Sequence, residues 1–212
     1  MLPRFLKAAK YIHQPVYLIR RVAYESYRLR HPEEPWLSPG AVRFCNSALK
    51  RTDVALEWGS GRSTKWFAAR VGKLLSVEFD SDWHRKVSAD LASFPNAQCR
   101  FVPLEHAPDE GTVAHYQKVP AYVAVVDEFA DGSLDFVVVD GHYRQACILE
   151  ALPKLKPQGL LLVDDTERLP LADWGVPLSW PVVHQSRDVL RQTTIWEKPS
   201  QSLPTSTSPS AE

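Results

Sequence analysis

The sequence predicts an α/β fold, a mostly parallel sheet that ends in an antiparallel hairpin and carries an N-terminal helical extension. Three observations predict it. Short apolar runs alternate with helix-like segments from about residue 52 onward, the order of an open parallel sheet. The run Asp135–Asp140 (DFVVVD) is β-branched and continuous, as expected of a strand buried on both faces. Finally, the strand-like runs Pro181–Gln185 and Gln192–Glu197 are joined by only six residues, too few for a crossover helix, so they must pair antiparallel.

The elements follow in order. Val54–Trp58 reads as the first strand and Ser63–Val71 as the helix after it. Leu74–Glu78 is the second strand, Asp82–Ser93 the second helix and Gln98–Pro103 the third strand. A polar stretch, Glu105–Pro120, precedes a helix expected over Ala121–Phe129. The strand Asp135–Asp140 leads into a helix from Arg144 to Leu155 and then the strand Gly159–Val163. The chain therefore divides into an extension (1–50), a core domain (51–198) and a tail (199–212). The tail is rich in Ser, Thr and Pro with one large apolar residue, too little burial to offset its ordering entropy, and is expected to be disordered.

Composition narrows the function classes. With 25 basic and 25 acidic residues the chain lacks the basic excess that polyanion binding needs, which argues against a nucleic-acid partner. Three scattered cysteines form no C-x-x-C pair, so neither a zinc site nor a disulfide framework is indicated, and reduced thiols in the cytoplasm are expected. No apolar run approaches membrane-spanning length, and Lys7, Lys10 and His13 interrupt any signal-like stretch.

The chemistry begins at Glu57-Trp58-Gly59-Ser60-Gly61-Arg62-Ser63-Thr64. Two glycines one residue apart allow a sharp turn that brings backbone N–H groups close to a ligand, and Ser63 or Thr64 can cap the next helix. The third glycine of a dinucleotide fingerprint is missing, and no Gly-Lys-Ser/Thr makes this a P-loop. Nineteen positions after Gly59, at the end of the next strand, stands Glu78, where a carboxylate can accept both hydroxyls of a ribose; Phe79 beside it, or Trp83, can flank an adenine. The plain alternative is an ordinary β-α turn with Glu78 facing solvent.

These segments, ALEWGSGRSTKWFA, LLSVEFDSDWHRKV and DFVVVDGHYRQACILEALPKLKPQGLLLVDDTER, resemble a family of bacterial class I S-adenosylmethionine-dependent methyltransferases of Rossmann-like fold over about residues 50–198. The resemblance implies that Glu57, Gly59 and Gly61 surround the methionine portion of S-adenosylmethionine and that Glu78 holds its ribose; Ser60, Ser63 and Phe79, which stand beside them, are further expected cofactor contacts. It does not identify the acceptor; a small molecule or glycan-type hydroxyl is expected. A catalytically silent module of the same fold and an NAD(P)-dependent oxidoreductase are the competing readings, the latter weakened by the missing glycine and the terminal hairpin.

Ligands of open α/β sheets sit beyond the carboxyl ends of the strands, which puts Asp140, Asp164 and Asp165 on the rim of the turn. Two mechanisms fit. Either the three aspartates hold a divalent cation such as magnesium that acidifies the acceptor hydroxyl, or His142 acts as general base with Tyr143 and Arg144 orienting the acceptor. The first arrangement is similar to that of metal-dependent catechol-type O-methyltransferases, whose pattern ends in Asp-Asn, and Asp165 departs from it. Alternatively, Asp140 only caps a helix, Asp164 and Asp165 only begin a turn, and Arg144 pairs with a surface carboxylate. The loop 106–120, with His115, Tyr116 and Lys118, is either a lid or acceptor wall or a solvated connection, and the stretch Leu169–Trp180 either closes the acceptor pocket or, the simpler use, packs Trp174 and Trp180 in the core.

Residues 1–30 carry seven basic side chains against Glu25 alone, interspersed with apolar ones. Such a segment either packs on its own domain or on a second subunit as a homodimer contact, or lies on an anionic membrane surface at the inner face, with Pro15 dividing it.

Overall fold

The computed structural model describes residues 15–105, 118–188 and 191–200. The loop residues His115 and Tyr116, the first 14 residues and most of the tail lie outside the described residues. A seven-stranded sheet of order β3-β2-β1-β4-β5-β7-β6 organises the chain. Its strands are β1 (Val54–Trp58), β2 (Lys73–Glu78), β3 (Ala97–Phe101), β4 (Leu134–Val139), β5 (Leu155–Val163), β6 (Val182–Arg187) and β7 (Gln192–Glu197). The first five are mutually parallel; β7 runs antiparallel to β5, and β6 pairs with β7 alone. The mostly parallel sheet with a terminal hairpin is the predicted architecture.

The period of two along the central strands sends side chains to two separate cores. Leu56, Trp58, Val137, Val139, Leu161 and Val163 point to one face, covered by α5 (Ala121–Ala124) and α6 (Arg144–Ala151). Ala55, Leu74, Phe136, Val138 and Leu162 point to the other, covered by α2 (Pro39–Ala48), α3 (Arg62–Ala68) and α4 (Ser81–Asp90). Phe136 is fully buried there, edge-on to Phe67 at 5.2 Å, a burial that stabilises by roughly 1.5–3 kcal/mol. At the opposite end of the sheet from the turn, Asp135 ties three strands together: its carboxylate accepts from the Val54 N–H (2.9 Å) and from Lys156 Nζ (2.8 Å).

The extension contributes two helices, α1 (Pro15–Arg30) and α2. Ser38 opens α2, accepting from the Ala41 N–H at 3.4 Å, with Pro39 at the first helical position where its missing N–H costs nothing. Ala41, Val42 and Cys45 fall on one side and are buried against the sheet. The Ser38 hydroxyl also bonds Ser186 at 2.7 Å, so α2 is fastened to the hairpin.

Three expected boundaries move, for local reasons. The helix from Arg144 ends at Ala151 because Pro153, which has no N–H to donate, cannot continue the hydrogen-bond ladder. β5 starts early, at Leu155, and bends at Gln158 (φ 65°) before rejoining β4. The segment after Pro120 gives one α turn and then a 3-10 turn over Val125–Glu128, where two β-branched valines stand in succession.

Candidate active site

The carboxyl ends of β1, β2, β4 and β5 converge on one rim, and the turn after β1 forms its floor. Gly59 has φ 92°, and a Cβ there would stand 2.5 Å from Gly141 N and 2.7 Å from the Asp140 carbonyl carbon. The backbone itself therefore requires this glycine. Gly141 is packed equally hard, since a Cβ on it would collide with the Tyr122 hydroxyl. Gly61 differs: its backbone is extended (φ 177°), and the nearest atom to a Cβ would be Trp83 Nε1 at 3.8 Å. No protein atom demands a glycine at 61, so its bareness leaves space for a ligand beside the turn.

Glu57 lies wholly inside the protein. Its Oε1 accepts from Ser63 Oγ and its Oε2 from Thr64 Oγ1 and Ser76 Oγ, all at 2.6 Å. Thr64 Oγ1 in turn accepts from the Gly61 N–H at 2.9 Å, which locks the turn to the head of α3. Burial drives the Glu57 carboxyl up to about 7 despite these three donors. Glu57 and Ser63, both expected at the cofactor, are bonded to each other at the base of the turn. Ser76 had no signal in the sequence beyond its place in an alternating strand.

Glu78 is buried at the end of β2. Its Oε1 accepts from the Phe79 and Asp80 N–H groups at 2.9 Å each, and its Oε2 from Ser60 N (3.2 Å) and Ser60 Oγ (2.9 Å). A ribose hydroxyl can reach Oε2 by taking the place of the Ser60 hydroxyl. Ser60 is further held by Trp83, whose indole N–H donates to its carbonyl at 2.7 Å. Beyond Glu78 an aromatic group faces the glycine contact: Phe79 lies 6.4 Å from Tyr122 and 5.7 Å from His142, and His142 lies 5.0 Å edge-on to Tyr143. Tyr122, fully buried on α5, was missed by the sequence reading because only the fold brings it under Gly141.

The acidic corner is built as an ion-pair network. Carboxylate oxygens of Asp140, Asp164 and Asp165 all lie within 4.8 Å of one another, the convergence a metal site requires. Three guanidinium groups stand among them. Arg144, 5% exposed, donates to the Asp140 carbonyl (2.9 Å), Asp140 Oδ1 (3.0 Å), Asp165 Oδ2 (3.3 Å), the Gly141 carbonyl (3.0 Å) and the Asp164 carbonyl. Arg168 pairs with Asp165, and Arg191 approaches Asp165 at 3.5 Å and Asp164 at 3.9 Å. Thr193 donates to Asp164 Oδ1 at 2.6 Å. Burial and the neighbouring acids raise the Asp164 carboxyl well above its ordinary range, and burial also raises Asp140 against the pull of Arg144. Three carboxylates facing three guanidiniums are already balanced in charge, so the donor set does not fit a divalent cation.

Arg144 is therefore a buried bridge between the ends of β4 and β5, not a surface partner. On either side of it the backbone is left-handed at non-glycine residues, Tyr143 (φ 51°) and Asp165 (φ 56°), conformations that cost about 1–3 kcal/mol each and persist where the surroundings enforce them. Arg168 stands one turn from Asp165, within reach of a sequence reading; Arg191 and Thr193 arrive from the hairpin, with no linear signal.

Residues 56–166, more than half of the chain, match the model of a methyltransferase domain. The chain belongs to this methyltransferase family. As such it is an S-adenosylmethionine-dependent methyltransferase, and several solved structures share its fold. A methyltransferase from Streptococcus mutans in complex with S-adenosylhomocysteine superposes with a TM-score of 0.55 at 11% identity, covering 74% of this chain and 94% of that one. An rRNA methylase from Streptococcus thermophilus gives 0.55 at 12% identity, covering 78% and 99%. An RNA methyltransferase from Salinibacter ruber gives 0.50 at 16% identity, covering 82% and 100%. A search of curated protein sequences finds no match. Among the described residues of this methyltransferase, no helix is long and apolar enough to cross a membrane.

Proposed function

We propose that the enzyme methylates a hydroxyl of a small-molecule or glycan-type acceptor, with His142 as the proton acceptor and no metal. The observation that carries this reading is the acidic corner, in which Arg144, Arg168 and Arg191 pair with the aspartates that a cation would have to use. With the aspartates so engaged, the titratable group on the rim beside the turn is His142, set between Phe79 and Tyr143.

S-adenosylmethionine supplies an electrophilic methyl on a sulfonium, so the acceptor needs orientation and loss of one proton rather than a strong activating group. Ser60 and Gly61 would run alongside its methionine half and Glu78 would hold its ribose, with Phe79 against the adenine. His142 takes the acceptor proton as the oxygen attacks, and the imidazole returns it to solvent. Phe79, Tyr122 and Tyr143 pack edge-on to one another beside His142, an apolar wall on that side of the imidazole.

The test is transfer of a labelled methyl group to a panel of phenolic, catecholic and saccharide hydroxyls. Transfer that survives EDTA, and falls at least a hundredfold in His142→Ala while S-adenosylhomocysteine affinity is kept, is the expected result. Loss of transfer on chelation with recovery on added magnesium would return the aspartates to a metal role. Binding of S-adenosylhomocysteine with no transfer to any acceptor would favour the silent module.

A further inference from the structure

Helix α1 is attached the wrong way round for a helix that serves the core. Its polar side faces the protein: the Arg28 guanidinium lies 4.7 Å from the Trp36 ring and 5.8 Å from that of Tyr24, the Tyr27 hydroxyl bonds Glu34, and Tyr24 hydrogen-bonds Asp188. Its apolar side faces out. Ile19, Val22 and Leu29 are 70%, 66% and 82% exposed, and with Ser26 they succeed one another at steps of three and four residues, a single helical stripe.

Charge decides what can cover that stripe. Helix α1 carries Arg20, Arg21, Arg28 and Arg30 against Glu25 alone, whereas the chain beyond residue 30 holds 18 basic and 24 acidic side chains. A second copy meeting this one through α1 would set two positive helices together. Three side chains also fall well short of the roughly 1,000 Å² that a stable protein interface buries. An anionic bilayer complements both features at once, taking the apolar stripe at the acyl boundary and the exposed Arg30 next to Leu29 at the headgroups.

We propose that α1 is a docking surface for an anionic lipid bilayer, with Ile19, Val22 and Leu29 as the inserting side chains. Tyr24 meets the β6–β7 turn at Asp188, and Arg191 of the same turn reaches the acidic corner, so docking sets the rim of the active site beside the headgroups.

Co-sedimentation of the full chain with phosphatidylcholine vesicles, with and without phosphatidylglycerol, tests this. The expected result is binding to the anionic vesicles, at least tenfold weaker on neutral ones, at 0.5 M salt (roughly a 4 Å Debye length), and in the triple variant Ile19→Ser, Val22→Ser, Leu29→Ser. Retained S-adenosylhomocysteine binding shows that the variant is folded and keeps this test separate from the catalytic reading. Absence of vesicle binding, binding indifferent to the triple variant, or a solution dimer that the variant splits into monomers would each overturn the proposal, the last by making a second copy the occupant.

Discussion

Gly59 and Gly61 are glycines for different reasons, and substitution separates them. Gly59→Ala places a Cβ 2.5 Å from Gly141 N at a left-handed φ, so it is expected to lose at least about 3 kcal/mol of stability in urea unfolding. Gly61→Ala meets nothing closer than 3.8 Å and should unfold like the parent, within about 0.5 kcal/mol, while binding S-adenosylhomocysteine at least tenfold more weakly by calorimetry. Unchanged affinity in Gly61→Ala would remove the cofactor from that side of the turn. Glu57 makes a pH prediction. Its folded carboxyl sits near 7 against an ordinary value of 4.5, so between those values the native state holds a proton that the unfolded chain has released. Its contribution to stability is thus largest below 4.5 and declines as pH rises through about 7, by up to about 3 kcal/mol. Glu57→Gln cannot ionise and should flatten the fall of Tm between pH 5 and 8; a parallel fall in both proteins would show that another group governs it.

At the scale of elements, Arg144 joins the ends of β4 and β5, and its five donated bonds hold carbonyls as well as carboxylates. Arg144→Met leaves three clustered carboxylates with too few counter-charges, an expected cost of about 3–5 kcal/mol. Arg168→Gln removes a side chain that is 51% exposed and should cost no more than about 1 kcal/mol. Equal losses in the two variants would contradict the bridge. The elements themselves were legible in the sequence because each signal was local: a short apolar run for β1, a β-branched run for β4, the glycine turn, the six-residue link of the hairpin. Helix ends were less so, since Pro153 and paired valines act at the level of single turns. The site was half legible. Gly59, Ser60, Gly61, Glu78 and Phe79 gather at the turn, and three aspartates converge; what linear pattern could not carry was which groups face inward. Ser76 on β2 and Thr64 at the head of α3 meet the Glu57 carboxylate only because the fold brings strand and helix together, a convergence with no linear signal. Arg191 comes from a strand pair whose position between β5 and the sheet edge is set by packing alone.

For the whole molecule, the position of the last strand has a consequence for assembly. β6 is synthesised before β7, yet β7 is its sole partner and lies between it and β5. No intermediate that stops before residue 192 can therefore close the sheet on this side. The hairpin also brings Arg191 and Thr193 to Asp164 and Asp165. Until it docks, the active-site rim holds an excess of buried negative charge that resists closure; afterwards that charge is matched. Completion of the fold and electrostatic maturation of the catalytic edge are one event.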